Sequence, residues 1–337
     1  VPEPGKVSKE TIRFNVEKAL KRLKTEQIDL LQYHAWSYPD PTWLDTLFEL
    51  QELKKQGFIK HLGVTNFDAA HLRICLASGI EIISNQVCYS LLDQRANGVM
   101  KKVCEKYGVK LLAFGTLAGG FLTDKWLNKP EPIIDESFTW SNMKYKRFID
   151  EVGSWSDFQE LLKKLQIIAN KHQVSIANIA SKYIVSQSHV AGIIVGARLG
   201  KSEHIQDTLN LFDFELDKDD INLINNQLIK QKPIHGDCGD EYRKPPFLTA
   251  SGDLSHHVKG FPLPYKTKTL DNGNTLVVSG TYWEDMAGYS RAIKNGKTIK
   301  VSGTTATHGN LLIGGSDLKA QTHFIIDKIE AAILSLG

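Results

Sequence analysis

The sequence predicts an α/β protein in which five β-strands each lead into a helix, followed by a smaller α+β region. Short apolar runs alternate with amphipathic segments up to about residue 228, and repeats of this length indicate parallel strands joined by right-handed crossovers. After that point come a proline-bearing stretch and two hairpin signals, Asn272-Gly273 and Asn295-Gly296. The chain is therefore expected to combine two kinds of fold.

The first element is a helix that begins at Ser8, a residue suited to cap it, with Ile12, Val16, Leu20 and Leu23 recurring at helical spacing. The predicted strands follow at residues 27–33, 61–66, 81–86, 109–114 and 191–196. Glycines end the intervening helices. An irregular stretch is expected at about 119–150, before a pair of helices.

Polar side chains follow the predicted strands at His34, Asn66 and Gln86. A (β/α)8 barrel builds its active site at the carboxyl ends of its strands. A doubly wound nucleotide-binding sheet would instead need a G-x-G-x-x-G turn, and the sequence contains none. We therefore predict a partial (β/α)8 TIM barrel with five of the eight β/α units.

The carboxyl-terminal part reads as a linker and a second domain. The predicted domains are residues 1–230, a linker with five prolines at 231–267, and a partial α+β domain at 268–337. The last element is predicted as a helix over 320–336, with Phe324, Ile325, Ile329 and Ile333 directed inward.

Composition excludes several classes of function. The 41 basic and 38 acidic residues are dispersed, which argues against nucleic acid as a partner, and no run of about 18 apolar residues indicates a membrane span. The four cysteines lack paired or metal-binding spacing, so we expect free thiols in a reducing cytoplasm and no metal site.

The residues at the strand ends could bind a nicotinamide group and a carbonyl substrate. His34 could donate a hydrogen bond to a carbonyl oxygen, although a structural role is open. Thr65-Asn66 and Asn85-Gln86 offer the donors and acceptors that a carboxamide needs, but buried amides can also satisfy each other. Phe114 could stack on a nicotinamide ring or belong to the core.

A turn rich in glycine and basic residues follows the last predicted strand, in the string GARLGKSEH from Gly196 to His204. Free backbone N–H groups at a helix start, together with Arg198 and Lys201, suit a phosphate. The alternative is an ordinary turn with solvated basic side chains.

The strings DLLQYHAW, HLGVTNF, SNQVCYSLLDQR, LLAFGTLAGGFL and IIVGARLGKSEHI occur in this order and resemble the aldo-keto reductase family over about residues 8–230. The resemblance implies that His34 is the catalytic histidine and that Phe114 replaces a stacking tyrosine. The other implied cofactor-binding residues are Thr65, Asn66, Gln86, Gly115, Leu117, Gly196, Ala197, Arg198, Ser202, His204 and Asp207.

The resemblance implies NADPH-dependent reduction of an aldehyde or ketone. It also implies a tetrad of Asp, Tyr, Lys and His, of which the first three would lie upstream of the strand that precedes His34. We therefore expect the chain as it stands to be inactive and to be a fragment of a longer polypeptide. A non-catalytic NADPH-binding or regulatory subunit is the alternative.

The strings GTYWEDMAGYSRAI, KTIKVSGTTA and AQTHFIIDKIEAAILSLG resemble the beginning of a RidA-type (YjgF) domain. Full-length members are trimers that hydrolyse reactive enamines and imines. The resemblance implies that Tyr289 and Ser302 line a pocket, and that homo-oligomers could form through this region. A further alternative is therefore RidA-type deaminase activity from the tail of a longer parent protein.

Overall fold

The computed structural model describes residues 7–135, 137–197, 200, 203–249 and 263–337. Its contacts divide the chain into two compact units. The first unit comprises residues 1–65, 69–83 and 257–337, and the second comprises residues 66–68 and 84–256. The domain boundaries predicted from the sequence, after residues 230 and 267, stay a prediction.

The amino-terminal part of the first unit alternates helices and strands. Its elements are α1 (Lys9–Leu23), β1 (Ile28–Tyr33), α2 (Thr42–Lys55), β2 (Ile59–Thr65) and α3 (Ala69–Ala77). β1 and β2 pair in parallel, with Ile28 opposite Ile59 and Tyr33 opposite Val64. The intervening α2 is the crossover that such a pair requires, so the predicted parallel pairing is confirmed here.

The predicted start of α1 is confirmed, because the Ser8 hydroxyl accepts a hydrogen bond from the Thr11 backbone N–H at 3.2 Å. Ile12, Val16 and Leu20 are buried as expected. Leu23 was expected on the same face but is 64% exposed. It is the last helical residue, and the chain turns away directly after it through Lys24 in the left-handed conformation.

The second unit carries three parallel strands among its described residues. Its elements are β3 (Ile82–Cys88, in this unit from Ser84), α4 (Val99–Tyr107), β4 (Lys110–Phe114), α5 (Trp140–Val152), α6 (Trp155–His172), α7 (Ile176–Val185), β5 (Val190–Ile194), α8 (Ile205–Leu209), α9 (Lys218–Leu228) and α10 (Asp240–Arg243). Phe114 at the end of β4 lies opposite Cys88 of β3 and Ile194 of β5. The carboxyl ends of all three strands therefore lie side by side.

The irregular stretch expected at 119–150 is wrong in its second half, where α5 forms. Thr139 caps this helix by accepting from the Asn142 N–H at 3.2 Å, and Phe148 and Ile149 are buried. Two charged residues of α5, Lys144 and Lys146, are buried as well. The sequence pattern was misleading because these lysines interrupt the apolar face.

The segment expected to be a surface linker is partly packed. Glu241 and Arg243 of α10 are buried, as are Leu248 and Thr249 after it. Residues 250–262 lie outside the described part of the chain. Proline and histidine content suggested a linker or an extended surface segment, but long-range ion pairs hold the first half of the segment in the second unit.

The tail belongs to the first unit and forms an α+β arrangement. Its elements are β6 (Lys266–Thr269), β7 (Thr275–Val278), α11 (Tyr282–Ala287), β8 (Ala292–Asn295), β9 (Thr298–Val301), β10 (Thr307–His308), β11 (Leu311–Leu312) and α12 (Leu318–Leu334). β6 to β9 pair antiparallel in chain order. Both predicted hairpins are confirmed, at Asn272-Gly273 and at Asn295-Gly296.

The terminal helix α12 covers the tail sheet with small residues. Ala331 and Ala332 pack with Val277 and Ala292, and Phe324 is buried as predicted. The inward direction predicted for Ile333 is wrong, since it is 43% exposed, and Ile325 and Ile329 are only half-buried. The buried stripe runs through alanines and Lys328 instead, because short side chains let α12 approach the sheet.

The tail also contacts α3 within the first unit. Arg73 of α3 donates to both carboxylate oxygens of Asp317, and His71 Nε2 lies 3.2 Å from Asp327 Oδ2. The Ser78 hydroxyl accepts from the Gly314 N–H at 2.9 Å.

None of the helices in the described part of the chain has the length and apolar character needed to cross a bilayer.

Candidate functional site

Asn66 and Gln86 meet in the second unit: Asn66 comes directly after β2, and Gln86, predicted to end its strand, lies two residues before the end of β3. The Asn66 backbone N–H donates to the Gln86 carbonyl oxygen at 2.8 Å. Asn66 has a left-handed backbone with φ of 56°, and only 9% of its surface is exposed. Its side-chain oxygen Oδ1 has no hydrogen-bond partner among the described residues. A buried acceptor without a partner is costly unless a ligand completes it.

The neighbouring amide of Asn85 has a structural role instead. Its Nδ2 donates to the Phe67 carbonyl at 2.9 Å, and its Oδ1 accepts from the Phe67 N–H at 3.3 Å. The sequence left open whether such amides satisfy the core or bind a ligand. Asn85 satisfies the core, whereas Asn66 keeps an open acceptor.

Phe114, Gly115 and Leu117 follow one another at the end of β4, and all three are half-buried. Gly115 has φ of 72°, and a Cβ there would overlap the hydroxyl of Tyr145. Any side chain at this position would therefore displace Tyr145. The backbone at the end of β4 thus needs glycine, which fits a loop that approaches a neighbouring group closely.

The segment expected to bind the adenosine end is only partly described. Gly196, Ala197 and His204 are exposed, while Arg198 and Ser202 lie outside the described residues. The helix expected from Ser202 is α8, which begins at Ile205.

Asp207 of that segment is engaged with α7. Its carboxylate accepts from the Ser175 hydroxyl at 3.0 Å and from Asn178 Nδ2 at 3.1 Å. Ser175 itself caps α7. Asp207 therefore ties the segment to the start of α7 through hydrogen bonds that the sequence did not indicate.

His34 and Thr65, the two predicted strand-end residues of the first unit, are close to each other. His34 Nδ1 lies 3.2 Å from the Thr65 carbonyl oxygen, and the imidazole packs edge to face with Trp36 at 4.4 Å between centroids. A hydrogen bond from Nδ1 to that carbonyl fixes the neutral tautomer in which Nε2 lacks a proton. Protonation of His34 would make Nε2 a donor.

A buried network of charged groups in the second unit escaped the sequence analysis. Arg95 donates from Nε to one oxygen of Asp93 at 2.9 Å and from Nη2 to the other at 2.7 Å. The same Nη2 donates to Glu241 at 2.9 Å. Lys144 Nζ donates to the Tyr242 hydroxyl at 2.8 Å and lies 5.2 Å from the Phe114 ring centroid. The network therefore reaches the end of β4.

Neighbouring charges decide how these groups ionise. Burial raises the pKa of Glu241, but Arg95 and Lys144 outweigh it and hold that pKa below its usual range. Burial lowers the pKa of Lys144, but Tyr242, Cys88 and Glu241 outweigh it and raise that pKa. Burial raises the pKa of the Cys88 thiol. Glu241 and Lys144 are therefore charged, and the thiol is neutral.

Cys88, Asp93 and Glu241 also have the composition of a metal site, with one ligand atom of each within 4.8 Å of the others. Arg95 already pairs with both carboxylates, and Lys144 supplies a second positive charge 3.7 Å from Glu241. A divalent cation would have to displace the guanidinium and deprotonate the thiol. The three residues are accounted for as an ion-pair network.

In the first unit, Tyr289 and Ser302 are both hydrogen-bonded to Arg291, Tyr289 to its side chain and Ser302 to its backbone carbonyl. Arg291 Nη2 donates to the Tyr289 hydroxyl at 3.1 Å, and the Ser302 hydroxyl donates to the Ser290 carbonyl at 2.7 Å. The buried Arg291 also donates to Glu284 at 3.2 Å and to the Gly303 carbonyl at 2.9 Å. Tyr289 therefore contacts the Arg291 guanidinium, whereas Ser302 is bonded to the backbone of Ser290 and Arg291.

Parallel strands that alternate with helices and end in polar residues define an α/β protein of the TIM-barrel type. The model of the Aldo/keto reductase family matches residues 1–229. The chain therefore belongs to the aldo/keto reductase family, whose proteins are oxidoreductases that bind nicotinamide cofactors. This confirms the first resemblance found in the sequence.

Among curated relatives, Protein tas of Escherichia coli is 29% identical over 212 residues, covering 57% of this chain and 59% of that protein. The NADH-specific methylglyoxal reductase of Escherichia coli is 27% identical over 194 residues, covering 57% of this chain and 56% of that protein. The chain thus spans less than two thirds of the length of these relatives.

Solved structures show the same fold. The glycerol dehydrogenase of Gluconobacter oxydans superimposes with a TM-score of 0.56 at 22% identity, covering 68% of this chain and 67% of that one. The holo form of an aldo-keto reductase from Bacillus halodurans gives a TM-score of 0.51 at 20% identity, with coverages of 72% and 71%.

Proposed function

We propose that this chain provides the cofactor-binding and carbonyl-orienting part of an NADPH-dependent reductase that acts on an aldehyde or ketone. A bound nicotinamide cofactor would supply the hydride. Asn66 and Gln86, with Thr65, would hold its carboxamide, and Phe114 would stack on its ring. His34 would orient the carbonyl through Nε2 when protonated. Membership of the family supports this assignment.

The observation that carries the proposal is the open acceptor of Asn66. A carboxamide has two N–H donors and one acceptor, so its N–H group would complete the hydrogen bonding of Asn66 Oδ1. The position of this oxygen at a strand end beside Gln86 is where a barrel places its ligand. The residues present thus fit a nicotinamide group.

The preference for NADPH over NADH rests on Arg198. A guanidinium near the adenosine ribose would pair with the 2′-phosphate. The relative named as NADH-specific shows that NADH use occurs among similar proteins. We therefore expect Arg198→Met to weaken NADPH binding and to leave NADH binding nearly unchanged.

Titration with NADPH, followed by nicotinamide fluorescence, tests the proposal. Asn66→Ala removes the open acceptor, and we expect it to weaken binding about tenfold, the effect of one buried hydrogen bond. Asn97→Ala changes an exposed asparagine and should bind like the wild type. No saturable binding by the wild type would contradict the proposal.

Turnover of an aromatic aldehyde, measured on the same samples, separates the two candidate functions. Oxidation of NADPH that depends on the aldehyde and falls in His34→Ala supports the reductase. Binding without turnover supports a non-catalytic NADPH-binding subunit, the alternative favoured if the Tyr and Lys of the tetrad are needed for proton transfer.

For the tail we propose a RidA-type module that associates with further copies of the chain and shares the deaminase chemistry of that family in a longer parent. The antiparallel sheet with one covering helix and the Tyr289–Arg291 contact support it. Light scattering of the full chain tests the association. A monomer at all concentrations would count against it.

A further inference from the structure

Three groups in the second unit fix the backbone of Asn66. Its N–H donates to Gln86, and its carbonyl oxygen accepts from Arg243 Nη1 at 2.6 Å. Gly239 packs against the same carbonyl so closely that a Cβ there would overlap it. Both atoms of the Asn66 backbone that can hydrogen-bond are therefore occupied, and the residue is held with φ of 56°.

This left-handed conformation costs energy in a residue with a Cβ, although asparagine tolerates it better than most. The surroundings must supply the stabilisation. In this conformation the buried Asn66 side chain does not hydrogen-bond its own backbone, and its Oδ1 remains an open acceptor. Whatever fixes this backbone therefore also fixes the direction of the open acceptor.

The segment that carries Gly239 and Arg243 is itself firmly anchored. Arg95 Nη1 donates to the Asp237 carbonyl at 2.8 Å, and its Nη2 donates to Glu241 at 2.9 Å. Lys144 holds Tyr242 from the other side. Arg243 is buried, so it is part of a packed element and does not act as a mobile surface arm.

We propose that Arg243 is a positioning residue for the nicotinamide end of the cofactor, acting through the backbone of Asn66. This inference rests on the proposed cofactor function of Asn66. Arg243 lies beyond the residues 1–229 that match the family, so the segment after the matched region completes the cofactor site of this chain. The carbonyl of Asn66 is the point at which it acts.

Two nucleotides that differ at the nicotinamide end provide the test. NADPH carries the carboxamide, whereas 2′,5′-ADP carries only the adenosine end with its 2′-phosphate. Calorimetric titration of the full chain with each gives two dissociation constants. A residue that positions Asn66 should affect only the first, while a residue that merely stabilises the fold should affect both.

We expect Arg243→Met to weaken NADPH binding about tenfold and to leave 2′,5′-ADP binding within about twofold. Arg243→Lys keeps a donor and should recover part of the loss. Lys244→Met removes the adjacent, exposed cation and should match the wild type. Circular dichroism spectra of all variants establish whether they are folded.

Equal weakening of both nucleotides, or no weakening of either, would overturn the assignment of Arg243 while the proposed function stands. Failure of the wild type to bind either nucleotide would instead overturn the proposed function, and this inference with it. If Arg243→Met does not fold, the milder Arg243→Lys decides the question. The ratio of its two dissociation constants must then differ from that of the wild type by at least about threefold.

Discussion

Arg95 of the second unit and Arg291 of the first both have buried side chains, but the two arginines balance different charges. Arg95 of the second unit pairs with two buried carboxylates, Asp93 and Glu241. Arg291 of the first unit pairs with one, Glu284, and otherwise donates to neutral oxygens. The guanidinium in the second unit therefore has more buried negative charge around it.

A buried lysine belongs to each of these two networks, and the pKa values of the two lysines shift in opposite directions. Tyr242, followed by Cys88 and by Glu241 at 3.7 Å, raises the pKa of Lys144 in spite of burial. Lys328 donates to the Thr305 and Thr307 carbonyls at 3.3 and 2.7 Å, and burial together with Arg291 lowers its pKa to about 8. The pKa of a buried lysine thus stays high where neighbouring groups outweigh its desolvation, and falls where they do not.

The largest expected effect comes from removing Arg95. Arg95→Met leaves the buried Asp93 without a counterion and leaves the buried Glu241 only Lys144, 3.7 Å away, and we expect a loss of about 3–5 kcal/mol in the free energy of unfolding. Arg291→Met should cost less, because Glu284 keeps hydrogen bonds from the Ser279 hydroxyl and the Gly280 N–H. Urea unfolding followed by tryptophan fluorescence measures both.

Arg13→Met is the control, since the Arg13–Glu17 pair is exposed and should change stability by less than about 0.5 kcal/mol. A loss in Arg291→Met as large as in Arg95→Met would mean that the number of buried carboxylates does not decide the outcome.

Much of the fold could be predicted because its signals are local. Ser8 caps α1 three residues from its partner, Gly108 ends α4 with a left-handed backbone, and Asn295-Gly296 closes a hairpin. Each of these depends on a few consecutive residues. The error at α5 has the opposite origin, because its buried Lys144 is bonded to Tyr242, 98 residues away.

The site divides in the same way. Asn66 and Gln86 could be predicted because they lie at or near the carboxyl ends of strands, and these ends share one edge of a parallel sheet. Arg243 could not, because its bond to the Asn66 carbonyl joins residues 177 apart, and its own segment has the composition of a linker. Which of Asn66 and Asn85 has an open acceptor depends on the backbone of Phe67 and was likewise not predictable.

The second prediction concerns the pH dependence of stability. The pKa of Lys328 is about 8 in the folded chain, below its ordinary value of 10.5, so folded Lys328 binds its proton less tightly. Between these values the unfolded chain carries more protons, so this residue makes the free energy of unfolding rise with pH. The slope has a ceiling of about 1.4 kcal/mol per pH unit, set by one proton.

Urea unfolding between pH 7.5 and 10 measures this contribution as the difference in free energy of unfolding between the wild type and Lys328→Met. The charged neighbours Glu284 and Arg291 are present in both proteins, so their own contributions largely cancel. The same comparison with Lys144→Met should show no rise in this interval, because the pKa of Lys144 lies above its ordinary value. Parallel curves for wild type and Lys328→Met would show that Lys328 stays charged.

The smallest effect is expected from removing two tyrosine hydroxyls: that of Tyr242, which accepts from Lys144, and that of Tyr289, which accepts from Arg291. Tyr242→Phe removes the single hydrogen bond that Lys144 makes within the described part of the chain, and we expect a loss of about 2 kcal/mol. Tyr289→Phe should cost about 1 kcal/mol, because Arg291 keeps Glu284, Gly303 and Thr304 as acceptors. If urea unfolding gave the reverse order, the charge of Lys144 would depend on Glu241 at 3.7 Å more than on its hydrogen bond to the phenol.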